Sequence, residues 1–132
     1  MLETLLGWRE NLEVYGTDYD TEDGSCIRDY IHVSDLADAH LRALNFLEEH
    51  DEDLVLNLGT SKGISVLEIL DAARKVSGMD LPVIHSARRP GDPAVVLASA
   101  EKAERLLEWS PAFSDVETIL KTMLTAYRSH HR

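Results

Sequence analysis

Two Ser-x-x-Glu boxes constrain the fold of this chain more than any other feature, because each fixes a helix start and the apolar period behind it. Ser65-Val-Leu-Glu68 and Ser114-Asp-Val-Glu117 have the reciprocal capping pattern, in which a hydroxyl and a carboxylate satisfy orphan donors of the first turn. Behind the first, Val66, Ile69, Leu70, Ala73 and Val76 recur at helical spacing, Ile64 and Ile69 stand at the staple positions, and Gly78 marks the end. Behind the second, Val116, Ile119, Leu120, Met123, Leu124 and Tyr127 form an unbroken stripe. A third helix is predicted from Ser34, acting as cap, to near residue 49, with Asp35 in its first turn and Leu36, His40, Ala43, Leu44 and Leu47 on one side. A short fourth helix runs from a Ser99 cap to about residue 107, followed by an aromatic, proline-containing link over 109–113.

Strand-type runs lie between these helices. Residues 12–15 alternate apolar and polar, and 17–24 form an acidic loop after Gly16. A second strand is predicted over 26–33, with Ile27, Ile31 and Val33 on one face and Arg28, Tyr30 and His32 on the other. Residues 54–58 are mostly apolar, which predicts a strand buried on both faces, and shorter strands are predicted over 82–85 and 94–97. Short strands alternating with helices give an α/β class. With 132 residues, 44% of them apolar, the chain reads as one domain over 1–132 able to bury about two-thirds of its unfolded surface.

A formal net charge of -11 repels polyanions, so nucleic acid is not an expected partner. A small anion remains compatible with that charge, since a few arginines aimed at one pocket outweigh distant, screened carboxylates. Cys26 is the sole cysteine, which precludes an internal disulfide and fits a reducing cytoplasm. The longest unbroken apolar run, over 94–98, is far below the ~20 residues that span a bilayer, and the N-terminus lacks the basic start and apolar stretch of a signal peptide. No membrane partner is expected.

Several motifs can be set aside. The acidic loop would need an acidic residue where Tyr19 stands to form an EF-hand around Gly24. Gly59-Thr-Ser-Lys-Gly63 fits neither the dinucleotide nor the Walker A pattern and reads as a strand-to-helix turn. The histidines show no zinc spacing, and no serine sits in G-x-S-x-G. Arg88-Arg-Pro-Gly-Asp92 is the most chemically loaded stretch, with two guanidinium groups ahead of a rigid proline and a permissive glycine. It suits a fork for phosphate, and equally a surface turn with salt bridges; Arg28 carries the same two readings.

Tyr15-Gly16, Asp18-Tyr19, Asp23-Gly24 and the run Ile27-Arg-Asp-Tyr-Ile-His-Val-Ser-Asp-Leu-Ala37 resemble the corresponding segments of bacterial UDP-glucose 4-epimerases. Asn57-Leu-Gly-Thr60, Ser65-Val-Leu-Glu68, Arg88-Arg-Pro-Gly-Asp-Pro-Ala94, Lys102-Ala and Leu107-Glu-Trp109 continue the resemblance in order, so it covers essentially the whole chain. Related sugar-nucleotide epimerases and dehydratases, which share part of these signals, stand as the alternative, together with a non-catalytic UDP-sugar-binding module. The resemblance implies the C-terminal, substrate-holding portion of an extended Rossmann-type, NAD-dependent enzyme that interconverts UDP-glucose and UDP-galactose by oxidation and reduction at C4. It implies that Arg28 and Arg89 contact the diphosphate, Asp92 the uridine ribose, and the strand around Tyr15 the uracil, with a size-limiting residue near Val95 or Val96. It also implies NAD as cofactor, a homodimer and a cytoplasmic location for the longer enzyme.

The family's catalytic Y-x-x-x-K does not occur here, since Tyr15, Tyr19, Tyr30 and Tyr127 are followed four places on by Tyr, Asp, Ser and His. The glycine-rich phosphate turn is likewise not in this sequence, so no catalytic residue is assigned and NAD is not expected to bind this chain alone. In such folds the helix from Ser34 and the strand near Asn57 pack against the NAD-binding sheet, which leaves apolar surface uncovered in this chain by itself. The chain alone is therefore expected to unfold at modest temperature and to self-associate in sedimentation. A sharp monomeric transition well above ordinary mesophile values contradicts this.

Overall fold

The computed structural model describes residues 1–130. In chain order the elements are α1 (Leu2–Leu5), β1 (Leu12–Tyr15), β2 (Ile27–Arg28), α2 (Val33–Glu49), β3 (Ile64–Ser65), α3 (Val66–Ser77), β4 (Val83–Ser86), β5 (Val95–Val96), α4 (Glu101–Leu107) and α5 (Val116–His130). The α/β class stands. Two small sheets organise the chain: β1 runs parallel to β4, with Leu12 opposite Val83 and Tyr15 opposite Ser86, while β2 lies between antiparallel β3 and parallel β5.

Two apolar cores support these sheets. In the first, Val14 of β1 and Leu81 ahead of β4 meet Leu70 and Ala73 of α3, Leu120 and Leu124 of α5, and Leu2 and Leu5 of α1. In the second, Ala39 of α2 packs on Ala100, Ala103, Leu107 and Trp109, with Trp109 fully buried. Tertiary packing of this kind, rather than propensity, holds helices as short as α4.

Ser65 caps α3 as its box predicts: the hydroxyl accepts from the Glu68 amide, the Glu68 carboxylate accepts from the Ser65 amide at 2.7 Å, and Gly78 closes the helix at φ 66°. The other three predicted caps are corrected. His32, not Ser34, caps α2, its Nδ1 accepting from the Ser34 amide at 3.0 Å. Because Nδ1 accepts, Nε2 of the neutral ring carries the proton and donates to Thr122 Oγ1 at 2.8 Å. Helix α4 starts after Ala100 with no side-chain cap. Ahead of α5 it is the Asp115 carboxylate that accepts from the Thr118 amide at 2.9 Å, while the Ser114 hydroxyl accepts from the His32 amide at 2.8 Å and donates to Asp35 Oδ2 at 2.5 Å.

Strand extents are also corrected. Only Ile27–Arg28 of the run over 26–33 is strand, since the chain leaves the sheet at Asp29, whose carboxylate binds the Thr60, Ser61 and Ala98 amides at 2.9–3.3 Å. Residues 54–58 form no ladder among the described residues, and Val55 is 80% exposed rather than buried. The buried face of α2 is centred on Asp35 and Ala39, whereas His40, Leu44 and Leu47 are exposed, and Met123 of α5 lies outside its buried stripe. The acidic loop is not simply solvated: Tyr19 is buried, and Asp23 accepts from the Ser25 amide and hydroxyl and from the Ser65 hydroxyl.

Asp35 ties α2 to the segment before α5. Its carboxylate accepts from the Ala112 and Phe113 amides at 2.9 and 3.0 Å and from Ser114, while its carbonyl accepts from Trp109 Nε1 at 3.0 Å. Burial, the largest single influence, pushes this carboxyl up, but the hydrogen bonds from Ser114, Ala112 and Phe113 together bring it below its ordinary value. A carboxyl depressed in the folded state stabilises fully above its unfolded pKa of about 3.9, and that contribution is lost as the pH falls through the lower folded value. Asp35→Ala is expected to cost about 3 kcal/mol in denaturant melts. The milder Asp35→Asn is expected to flatten the loss of stability below about pH 4.

Candidate functional site: two arginines on one carboxylate

The end of β1, the β2 strand and the connection between β4 and β5 meet at one edge of the molecule. Arg28 follows Ile27 on β2, so its side chain projects from the opposite face to that residue. Its Nη2 donates to Asp92 Oδ1 at 2.5 Å and its Nη1 to the Ile27 carbonyl at 2.7 Å. From 61 residues further along the chain, Arg89 Nη2 donates to the other oxygen, Asp92 Oδ2, at 2.9 Å. One carboxylate thus holds two guanidinium groups from distant parts of the sequence. The connection is wound tightly enough for this by the Asp92 amide bonding the Arg89 carbonyl at 3.2 Å, with Gly91 between them at φ 80°.

The two arginines are exposed to different degrees. The Arg28 side chain is 22% exposed and Asp92 14%, whereas Arg89 is 61% exposed, so the half-buried pair is the foundation and Arg89 the open arm. Arg89 also lies over the Tyr15 ring, 4.9 Å from its centroid, a cation–π placement that limits its rotation. Two cations and one anion leave this cluster with a charge of +1 within a chain of net charge -11. Each guanidinium has five N–H donors, and only one or two of each are engaged by the bonds above. The spare donors and residual charge suit a small, multiply charged anion.

Electrostatics agree with this picture. The hydrogen bond from Arg89 holds the Asp92 carboxyl below the usual carboxylate range, burial opposes it, and the Arg28 charge adds to the depression. Arg89 is correspondingly pushed up, first by its hydrogen bond to Asp92 and then by that carboxylate's charge. The Tyr15 hydroxyl donates to Glu13 Oε2, and this bond followed by the Glu13 charge raises its pKa, so Tyr15 is a protonated donor and not a base. Among the described residues no group of three or more His, Cys, Asp or Glu side chains could hold a metal ion, and no helix is long and apolar enough to cross a membrane.

All four residues singled out from the sequence, Tyr15, Arg28, Arg89 and Asp92, therefore fall together. Val96 pairs in register with Arg28 and is half exposed, so it lies beside the same cluster. Two features escaped the sequence. Asp29 accepts from the Thr60 and Ser61 amides at 2.9 and 3.2 Å, so two donors of the turn over 59–63 are engaged within the chain. Arg88, next to Arg89, turns the other way and donates to Asp18 Oδ1 at 2.7 Å.

Short strands and flanking helices define an α/β protein with a cationic cluster at a strand end. The known proteins to which it is similar bear this out. Residues 2–59 match the NAD dependent epimerase/dehydratase family. The UDP-glucose 4-epimerase of Streptococcus mutans is 46% identical over 130 residues, covering 98% of this chain and 39% of that protein. The crystal structure of UDP-glucose 4-epimerase from Brucella ovis in complex with NAD superposes with a TM-score of 0.91 at 42% identity, over 96% of this chain and 39% of that one. The enzyme from Bifidobacterium longum in complex with NAD+ and UDP gives a TM-score of 0.87 at 36% identity, over 98% and 38%. The chain is similar to the NAD-dependent epimerase/dehydratase family through residues 2–59, and it spans about 39% of the length of the relatives it matches.

The shared carboxylate gives a direct spectroscopic expectation. In carbon-detected NMR the Asp92 carboxyl titrates below the ordinary value of about 3.9, and Arg89→Ala moves it upward towards that value. An unchanged midpoint in the variant contradicts the coupling.

Proposed function

We propose that this chain is the C-terminal, UDP-sugar-holding portion of a UDP-glucose 4-epimerase. The observation that carries the reading is the convergence of Arg28 and Arg89 on the two oxygens of Asp92, at 2.5 and 2.9 Å. In this reading the diphosphate lies across the two guanidinium groups and takes up their unused donors. Asp92 keeps the arginines parallel and offers its remaining lone pairs to the uridine ribose. The strand end at Tyr15 flanks the uracil, and Val95 or Val96 limits the room beside the sugar.

The resemblance, the 46% identity to the Streptococcus mutans enzyme and the superposition on a homologue containing UDP support this assignment. In this reading the chain's own residues bind and orient, and two amides of the turn over 59–63 are already taken by Asp29. Epimerisation and NAD binding are accordingly assigned to the longer enzyme, which is cytoplasmic and dimeric in this reading, and the chain alone is inactive. UDP-sugar is its ligand.

Each charge-assisted hydrogen bond to phosphate contributes roughly 1.5–3 kcal/mol, from which the ordering of Arg89 and the connection is subtracted, so binding by the chain alone is expected to be weak. Titrating labelled chain with UDP is expected to give saturable shifts at residues 15, 28, 89 and 92 in the millimolar range, and incubation with UDP-glucose and NAD is expected to give no UDP-galactose. Shifts confined to other surfaces contradict the site. Turnover by the chain alone contradicts the division of labour.

A further inference from the structure

Arg88 and Arg89 are consecutive, yet their side chains serve opposite neighbours. Arg89 reaches Asp92 and the Tyr15 ring; Arg88 reaches into the acidic loop, with Nε on Asp18 Oδ1 at 2.7 Å and Nη2 on the Asp18 carbonyl. Its guanidinium carbon also sits 4.2 Å from the centroid of the Tyr19 ring. Tyr19 is a firm platform: it is only 5% exposed, and its amide bonds the Gly24 carbonyl at 2.8 Å. The platform is packed against Gly16, where a Cβ would lie 2.5 Å from Tyr19 Cε2 and 2.7 Å from Arg88 Cγ, on a backbone at φ 80°. Gly24 closes the same loop at φ 78°, and a Cβ there would meet the Thr17 carbonyl oxygen at 2.3 Å.

We propose that Arg88 is a positioning residue for Arg89, clamping the connection over 88–92 to the Tyr19–Asp18 loop so that the neighbouring guanidinium stays aimed at the anion site. The inference rests on the reading of Arg89 as a diphosphate ligand. Fixing the backbone on both sides of the peptide between residues 88 and 89 removes the freedom that an exposed, long side chain such as Arg89 otherwise has. The Arg88–Asp18 ion pair is itself solvent-facing, at 42% and 74% exposure, so it adds little to stability and its effect is on direction. The ring stack and the two bonds to one residue make the clamp directional where a lone ion pair is not.

Asp18→Ala distinguishes positioning from direct contact by sign. If Arg88 were itself a phosphate ligand, deleting Asp18 would free it and remove a nearby negative charge, tightening UDP. A clamp instead loses its carboxylate anchor and keeps only the Asp18 carbonyl and the Tyr19 ring. Titrating the chain with UDP by NMR, the account expects Asp18→Ala and Arg88→Ala each to weaken binding about tenfold, and Arg89→Ala to abolish saturable shifts. In Asp18→Ala the Arg89 Nε–H resonance is expected to broaden while the spectrum away from residues 15–25 and 86–92 overlays the parent. Unchanged or tighter binding by Asp18→Ala overturns the inference. Parent-like binding by Arg89→Ala, or no response of the parent to UDP, overturns the reading of the site on which it rests.

Discussion

The sharing of Asp92 by two guanidinium groups is the constraint around which this molecule is arranged. Arg28 and Arg89 repel one another unless an anion lies between them, and a carboxylate with one oxygen for each is the smallest group that can hold both. That single acid makes a strand residue and a loop residue into one unit while leaving a net positive charge on a strongly acidic protein. Under the proposed assignment, a diphosphate meets arginines already drawn together, so less of the binding energy is used for assembly.

The fold reaches this arrangement through many short ladders. β2 is only two residues long, but it is paired on both sides and fixed at its end by Asp29, which collects amides from two other segments. β1 and β4 run in parallel, so Tyr15 and the chain entering the arginine connection leave the sheet side by side. Behind them α3 and α5 fill the first core with Leu70, Ala73, Leu120 and Leu124. Elsewhere Leu41, Leu44 and Leu47 of α2 and Val55 of the unpaired segment are exposed.

How much of this was legible depended on whether a residue's partner was close in sequence. The Ser65 box is self-contained within four residues, and it formed as written. Ser114 has the same box, but its hydroxyl is engaged by Asp35 and the His32 amide, 79 and 82 residues away, and Asp115 does the capping. Ser34 lost its cap to the imidazole of His32, a residue that reads as strand by alternation. The run over 54–58 packs Leu54, Leu56 and Leu58 against the second core without pairing with a strand among the described residues, so its apolar pattern marks burial on one side only. For the site, alternation placed Arg28 on the polar face, while its meeting with Arg89 and Asp92 came only from resemblance, because no local pattern encodes a contact across more than 60 residues. The turning away of Arg88 had no sequence signal, since it depends on the seat that Gly16 and Tyr19 make together.

Comparison of UDP with uridine as ligands, measured on the parent chain and on an Arg28→Ala, Arg89→Ala double variant, tests the central claim most directly, because the two ligands differ only in the diphosphate. The account predicts that the parent prefers UDP by more than about tenfold and that the preference disappears in the double variant. Equal affinity for the two ligands in the parent, or a preference that survives loss of both guanidinium groups, would contradict it.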